Sequence, residues 1–204
     1  MPASLFETAI ARFDEANRED PNTDYSDGVA YPKELLYAMR MTERLAFFAP
    51  DASEALQLAV RCQHIRRWTI PRHTYPMDRN GYHLWRSTLA KYHAETAGAI
   101  LQAIGYDPGF IQRVQALVRK ERLKADPEAQ TLEDVACLVF LEHYCSDFAQ
   151  KQTAEKGVEI LRKTWTKLSD RGREAARALP LPAAVKALLE QITNESRSNS
   201  SETA

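Results

Sequence analysis

The sequence predicts an all-α fold, a single-domain bundle of about seven to nine helices. Apolar residues recur at three- and four-residue spacing through most of the chain, the signature of amphipathic helices. Seven Gly and ten Pro in 204 residues are too few for the many turns of an all-β protein. A hydrophobic content of 44% is enough for a core at this length, which suits one domain. Residues 1–192 are therefore read as the helical domain. The Ser/Asn/Glu-rich stretch 193–204 is read as a disordered tail.

Leu5, Phe6, Ala9, Ile10 and Phe13 place a first helix over 3–18. Asn17 to Tyr31 is rich in Asp, Asn, Ser and Gly and reads as a long loop, a length often found in lids and clamps. Pro32 suits the first turn of a second helix, with Leu35, Leu36, Met39 and Leu45 as its buried stripe. A third helix is expected over 53–67, carrying Leu56, Ala59, Val60 and then Gln63-His64. Pro71, Pro76 and Asp78-Arg79-Asn80-Gly81 make 69–81 an irregular loop. Tyr82 to Ile104 reads as a long helix closed by Gly105 in the left-handed conformation. Asp107-Pro108 opens the next helix and Asp126-Pro127 breaks it. Thr131-Leu132-Glu133-Asp134 then starts a helix whose centre, Val135 to Leu141, is apolar all round. An amphipathic helix over 151–168 and shorter ones near 171–178 and 182–191 complete the bundle.

Composition departs from background in one place. Between Arg61 and His93 stand seven Arg or Lys against Asp78 alone, a net +6, whereas residues 1–60 carry eleven acids and five bases, net -6. The same window holds His64, His73, His83 and His93, with Trp68, Trp85, Tyr75, Tyr82 and Tyr92. Such a segment suits an anion, because Arg offers a planar, permanently charged fork to phosphate. Overall net charge is -1, which argues against general DNA binding. RNA stays open, since Arg beside aromatic rings can hold unstacked bases. The N-terminus has no basic segment followed by an apolar run, and no stretch reaches a membrane span, so a cytoplasmic protein is expected. Cys62, Cys137 and Cys145 fit neither a disulfide framework nor a zinc pattern.

Each candidate has a plainer alternative. His64 could line a site with Arg67 and Trp68 on its face, or cap a helix C-terminus. His93 is the better ligand of the pair His93 and Glu95, which lie on opposite sides of a regular helix. Asp134 could coordinate something, or be the acid of a capping box with Thr131. Glu133, beside it, could serve the site or solvent. Arg66, Arg67, Trp68, Arg72, Tyr75, Arg79, Tyr82 and Arg86 could bind substrate, or clasp the loop by stacking. No Gly-rich phosphate loop, Gly-x-Ser-x-Gly elbow, His-Glu-x-x-His or paired Cys-x-x-Cys is present.

Several motifs occur together and in order: Gln63-His-Ile-Arg-Arg-Trp-Thr-Ile-Pro-Arg72, Tyr75-Pro, Arg79-x-Gly-Tyr82, Trp85-Arg86, Gln130 to Glu142, and Lys163-Thr-Trp-x-Lys167. Together they resemble an uncharacterised family, domain of unknown function 4202, over about residues 30–175. A more distant likeness is mechanistic. His64, His93 and Asp134 are similar in order to the ligands of the HD-type metal-dependent phosphohydrolase superfamily, which is all-α. That resemblance implies an HD-like fold and a divalent metal (Mn, Fe, Ni or Zn) on His64, His93 and Asp134. Water activated there would attack a phosphate held by Arg66, Arg67 and Arg72, with Asp134, Glu133 and Glu95 as the acids at hand. Ile65 stands where the paired Asp belongs, and no His precedes His64, leaving Glu34 or Glu43 as substitutes.

Three readings follow. The chain is a divergent phosphohydrolase of small phosphorylated or nucleotide ligands; or it is a non-catalytic module for an anion or RNA end; or its basic 61–93 segment docks an acidic protein partner.

Overall fold

Ser4 precedes the first helix in extended conformation. Its hydroxyl accepts from the Glu7 amide while the Glu7 carboxylate accepts from the Ser4 amide, a reciprocal capping box. The helix it opens, α1 (Leu5–Arg18), buries Ala9, Phe13 and Ala16 on one face. The structure, a computed structural model, describes residues 3–145 and 154–201. It is mostly helical, and its contacts form two compact units, Met1–Leu132 and Glu133–Ala204.

In the first unit, the segment expected to be a long loop contains a hairpin, β1 (Thr23–Ser26) paired antiparallel with β2 (Val29–Pro32). The cause is Asp27-Gly28. Both residues take positive φ, 50° and 78°, as a tight hairpin turn with two left-handed central residues demands. Arg40 ties β1 down, donating to the Tyr25 carbonyl and pairing with Asp24. Arg40 lies on α2 (Lys33–Phe48), which follows the hairpin directly. Pro32 at its cap offers no side-chain acceptor, so the start of α2 is capped from outside. Buried Asp20 accepts from the Glu34 amide at 2.9 Å.

Ser53 caps α3 (Glu54–Cys62), which stops five residues short of the expected end. From Gln63 the chain turns, and Arg66 takes the left-handed conformation (φ 52°), which no regular helix accommodates. Short 3-10 turns follow at Arg67–Thr69 and Arg72–Thr74. Asp78 then caps α4 (Arg79–Ile104), three residues ahead of the expected start, by accepting from the Gly81 amide at 2.7 Å. A Cβ on Gly81 would meet the Pro76 carbonyl oxygen at 2.1 Å, so the loop closes against α4 only because glycine stands there. Gly105 ends α4 with φ 98°, and Asp107 caps α5 (Pro108–Val118), both as expected. Phe13, Met41, Leu56, Leu58, Leu89, Leu101 and Leu117 form the buried interior of this unit.

Asp126-Pro127 opens α6 (Pro127–Val139) rather than only ending what precedes it. The Asp126 carboxylate accepts from the Glu128 and Ala129 amides and is held by Arg113. Thr131 is consequently inside the helix, its hydroxyl bonded to the Pro127 carbonyl, and the capping box, one of two alternatives for Thr131 and Asp134, does not form.

In the second unit a π-helical turn, Phe140–Tyr144, follows α6. Next come α7 (Ala154–Lys167), α8 (Asp170–Ala178) and α9 (Ala183–Ser201). The start of the helix expected over 151–168 lies outside the described residues, and α9 runs through part of the stretch read as a tail. Extending a helix already anchored by Val185, Leu189 and Ile192 needs no new nucleus. Cys62, Cys137 and Cys145 are buried and form no disulfide among the described residues, as core fillers. Among the described residues no helix is long and apolar enough to cross a membrane.

Candidate functional site

The first unit contains a cavity of about 300 Å³. Its lining is Gln63 and His64 from the turn after α3, Arg67 from the first 3-10 turn, and His83, Arg86, Ser87, Leu89, Ala90 and His93 from α4. Val118, Arg119 and Lys120 from the end of α5 close it. Local backbone geometry delivers two of these walls. Arg66 in the left-handed conformation breaks the chain away from α3 and exposes the face of the turn carrying His64 and Arg67. Lys120, also left-handed (φ 55°), ends α5 and turns its chain over the cavity. A non-glycine residue pays on the order of 1 kcal/mol or more for that conformation.

His64 is the most constrained side chain. Its ring stacks on Tyr37, centroids 4.2 Å apart and planes 12° from parallel. Its Nδ1 lies 3.3 Å from Glu34 Oε2, and its Nε2 hydrogen-bonds to no described residue. His93 stands next to it, ring centroids 5.9 Å apart, and is only 3% exposed. His93 Nδ1 is 2.7 Å from the Ile65 carbonyl oxygen. A carbonyl can only accept, so Nδ1 carries the proton and Nε2 is left as a bare acceptor. That Nε2 is buried without a hydrogen-bond partner.

Burial dominates the electrostatics. It pushes the Glu34 carboxyl up to about 7, against the pull of Arg67 and Lys33. It drives His64 well below the ordinary imidazole value, with Arg67, His93 and Arg86 adding repulsion. His93 falls to about 4 by burial, although its bond to Ile65 opposes the fall. Near neutral pH both imidazoles are uncharged beside the cations. Arg67 packs its guanidinium 4.7 Å from the Trp85 ring centroid and 4.0 Å from Glu34. Arg86 makes no hydrogen bond or ion pair to any described residue.

Of the expected site residues, the cavity gathers His64, His93, Arg67 and Arg86. The others have different work. Arg66 grips both oxygens of Glu19 at 2.7 Å and takes Asn17 on its amide. Arg72 donates to the Tyr75 and Asp78 carbonyls and lies 5.9 Å from the Tyr82 and Trp85 ring centroids, so it braces the loop. Trp68, Tyr75 and Arg79 do not line the cavity. Glu95 is an exposed partner of Lys91, because residue 95 faces away from the side of α4 that carries His93.

Asp134 and Glu133 belong to the second unit. The Asp134 carboxylate accepts from the Ser169 amide at 2.8 Å and the Ser169 hydroxyl at 2.5 Å. Ser169 in turn caps α8. Glu133 pairs with Lys167 at 3.4 Å. Among the described residues no group of three or more His, Cys, Asp or Glu side chains could hold a metal ion. Glu34 does not complete such a set, since its Oε2 is spent on the Nδ1 edge of His64. Ile65 has its side chain fully buried, so a carboxylate there would enter the core, and its carbonyl serves His93 instead.

Tyr37, His83, Arg119 and Lys120 are not among the expected site residues, and Glu34 is expected there only as a substitute ligand.

Fold and site thus define a mostly α-helical protein with a cationic, imidazole-lined cavity. Residues 7–189 match the family described as Domain of unknown function (DUF4202), and the chain belongs to it. No curated protein and no solved structure matches the chain.

Proposed function

We propose that the protein binds a small phosphate-bearing ligand, a phosphorylated metabolite or nucleotide, in the cavity between the turn after α3, α4 and the end of α5. One observation carries the reading. Among the described residues the lining offers Arg67, Arg86, Arg119 and Lys120 together with three histidines, and no carboxylate. Arg119 is partly neutralised by Glu121, Arg67 by Glu34, and Lys120 also has an interaction of its own, so among the described residues Arg86 is the open cation. A volume of about 300 Å³ is at the small end of ligand pockets, which suits a phosphate with a modest organic group. Guanidinium forks fit phosphate oxygens, and uncharged imidazoles can accept from a protonated oxygen or a hydroxyl.

The HD-type likeness bears on this reading through order alone: His64 and His93, on successive segments, share the cavity. The divalent metal implied by that likeness has no three-ligand set among the described residues, so the reading gives the phosphate charge to arginine. Metal analysis of protein purified without chelator is expected to find Mn, Fe, Ni and Zn well below one per chain. Near-stoichiometric metal would move the anion's charge to that ion.

Binding is tested by thermal stabilisation with inorganic phosphate and adenosine monophosphate. Wild type should melt several degrees higher at millimolar ligand. Arg86→Ala should melt with the wild type when unliganded, having lost no protein contact, and should gain at most a tenth of the affinity. Absence of any shift in the wild type would sink the reading.

A further inference from the structure

We infer that the pocket hydrolyses the phosphate compound it binds, with His64 Nε2 as the base that activates water and Glu34 as the residue that positions His64. The inference rests on the phosphate-binding reading and adds turnover to it.

Three observations converge on His64. Its ring is fixed in plane by the stack on Tyr37, so it is not a free rotor. Its Nδ1 lies 3.3 Å from Oε2 of Glu34, which sits on the first turn of α2 with its amide capped by Asp20. His64 lines a ligand-sized cavity, and its remaining nitrogen bonds to no described residue. A carboxyl group behind one imidazole nitrogen orients the ring and stabilises the cation that forms when the other nitrogen takes a proton. The guanidinium of Arg67 lies in the same cavity, three residues along the chain, where charge develops on phosphoryl oxygens.

The surroundings also select the substrate class. His93 carries its one proton on Nδ1, committed to the Ile65 carbonyl, and cannot protonate a leaving oxygen. Arginine and lysine hold their protons too tightly to be efficient acids at neutral pH. With His93 committed and the cations holding their protons, the lining favours a bond that releases a group stable as an anion. A phosphoanhydride does so, and an alkyl phosphate does not.

In the step, water oxygen bonds to the phosphorus held by Arg67 and Arg86. The bridging P–O bond breaks, and its electron pair leaves with the departing phosphate. The water proton passes to His64 Nε2 and then to solvent, so the sum is one water consumed per anhydride bond cleaved.

The experiment measures phosphate release by the full chain in excess chelator from pyrophosphate, adenosine diphosphate and p-nitrophenyl phosphate, with glycerol phosphate as the alkyl comparison. Release from the first three, and little from the fourth, is expected. His64→Asn should lower kcat about 100-fold or more, the usual scale of a lost general base, with phosphate stabilisation retained. Glu34→Gln keeps the side chain's shape but removes its charge, and should lower kcat about tenfold with KM nearly unchanged. It carries the test if His64→Asn fails to fold. Phosphate binding without release from any substrate overturns the inference and leaves the binding reading standing. Release that stops in chelator, or that runs at the wild-type rate in a folded His64→Asn or Glu34→Gln protein, overturns it equally.

Discussion

Glu34 is a carboxyl 7% exposed, set between an imidazole and a guanidinium, and its protonation is tied to folding. Burial raises its pKa from 4.5 to about 7. The folded protein therefore keeps a proton that the unfolded chain has released. Stability from this group is full below about pH 4.5 and is lost as pH rises to about 7. His93 runs the other way. Its pKa falls from 6.5 to about 4, so its contribution is present above pH 6.5 and lost as pH drops towards 4. Each is worth about 3 kcal/mol over its window, and the opposed slopes flatten wild-type stability between them. Glu34→Gln removes one slope. The unfolding free energy of wild type minus that of Glu34→Gln, from urea titrations, should fall by about 3 kcal/mol between pH 4.5 and 7. A constant difference would mean that Glu34 ionises as an ordinary acid. At this scale the two histidines could be read because they end one cationic window. Glu34 and Tyr37 could not, because their value to His64 exists only once α2 lies against the turn after α3.

At the scale of elements, apolar spacing located most helices, while side-chain chemistry decided the rest. The hairpin hid in a polar stretch whose decisive signal, Asp27-Gly28, was overlaid by a composition that also describes a loop. Asp134 shows the converse. Its place before an apolar run suggested a cap or a ligand, yet it supports the cap of a different helix through Ser169, thirty-five residues on. No local spacing encodes that partner. Gly172 on α8 makes the contact testable, because a Cβ there would lie 2.6 Å from Asp134 Oδ1. Asp134→Ala strands the Ser169 donors and should cost about 1–3 kcal/mol. Gly172→Ala should cost about as much by forcing the carboxylate away. In the Asp134→Ala background the same glycine change should be neutral or favourable, since alanine is the better helix former by up to about 1 kcal/mol. Additive losses in chemical denaturation would show that the crowding is relieved by another route.

For the whole molecule, charge pairing explains why a segment of net +6 yields one small cavity rather than a basic face. The acidic N-terminal residues are spent on it. Arg61 pairs with Asp14 at 2.7 Å, Arg66 with Glu19, and His64 and Arg67 face Glu34. Arg72 is used on backbone carbonyls. Cations that looked like a surface in one dimension are largely consumed in three, and Arg86 is the one at the cavity with no protein partner among the described residues. A single-stranded RNA surface needs a row of open cations and stacking rings along a groove, and its affinity falls steeply with salt because each neutralised phosphate releases a counterion. A phosphate seated among Arg86, Arg67 and half-buried imidazoles should behave otherwise. Measured between about 50 and 200 mM salt, log affinity for a phosphate ligand against log salt should have a slope no steeper than about -2, and a ten-nucleotide RNA should not bind appreciably. An RNA complex with a slope of about -4 or steeper would place several phosphates along the chain, and would make the 61–93 segment a strand-binding surface instead of the wall of a pocket.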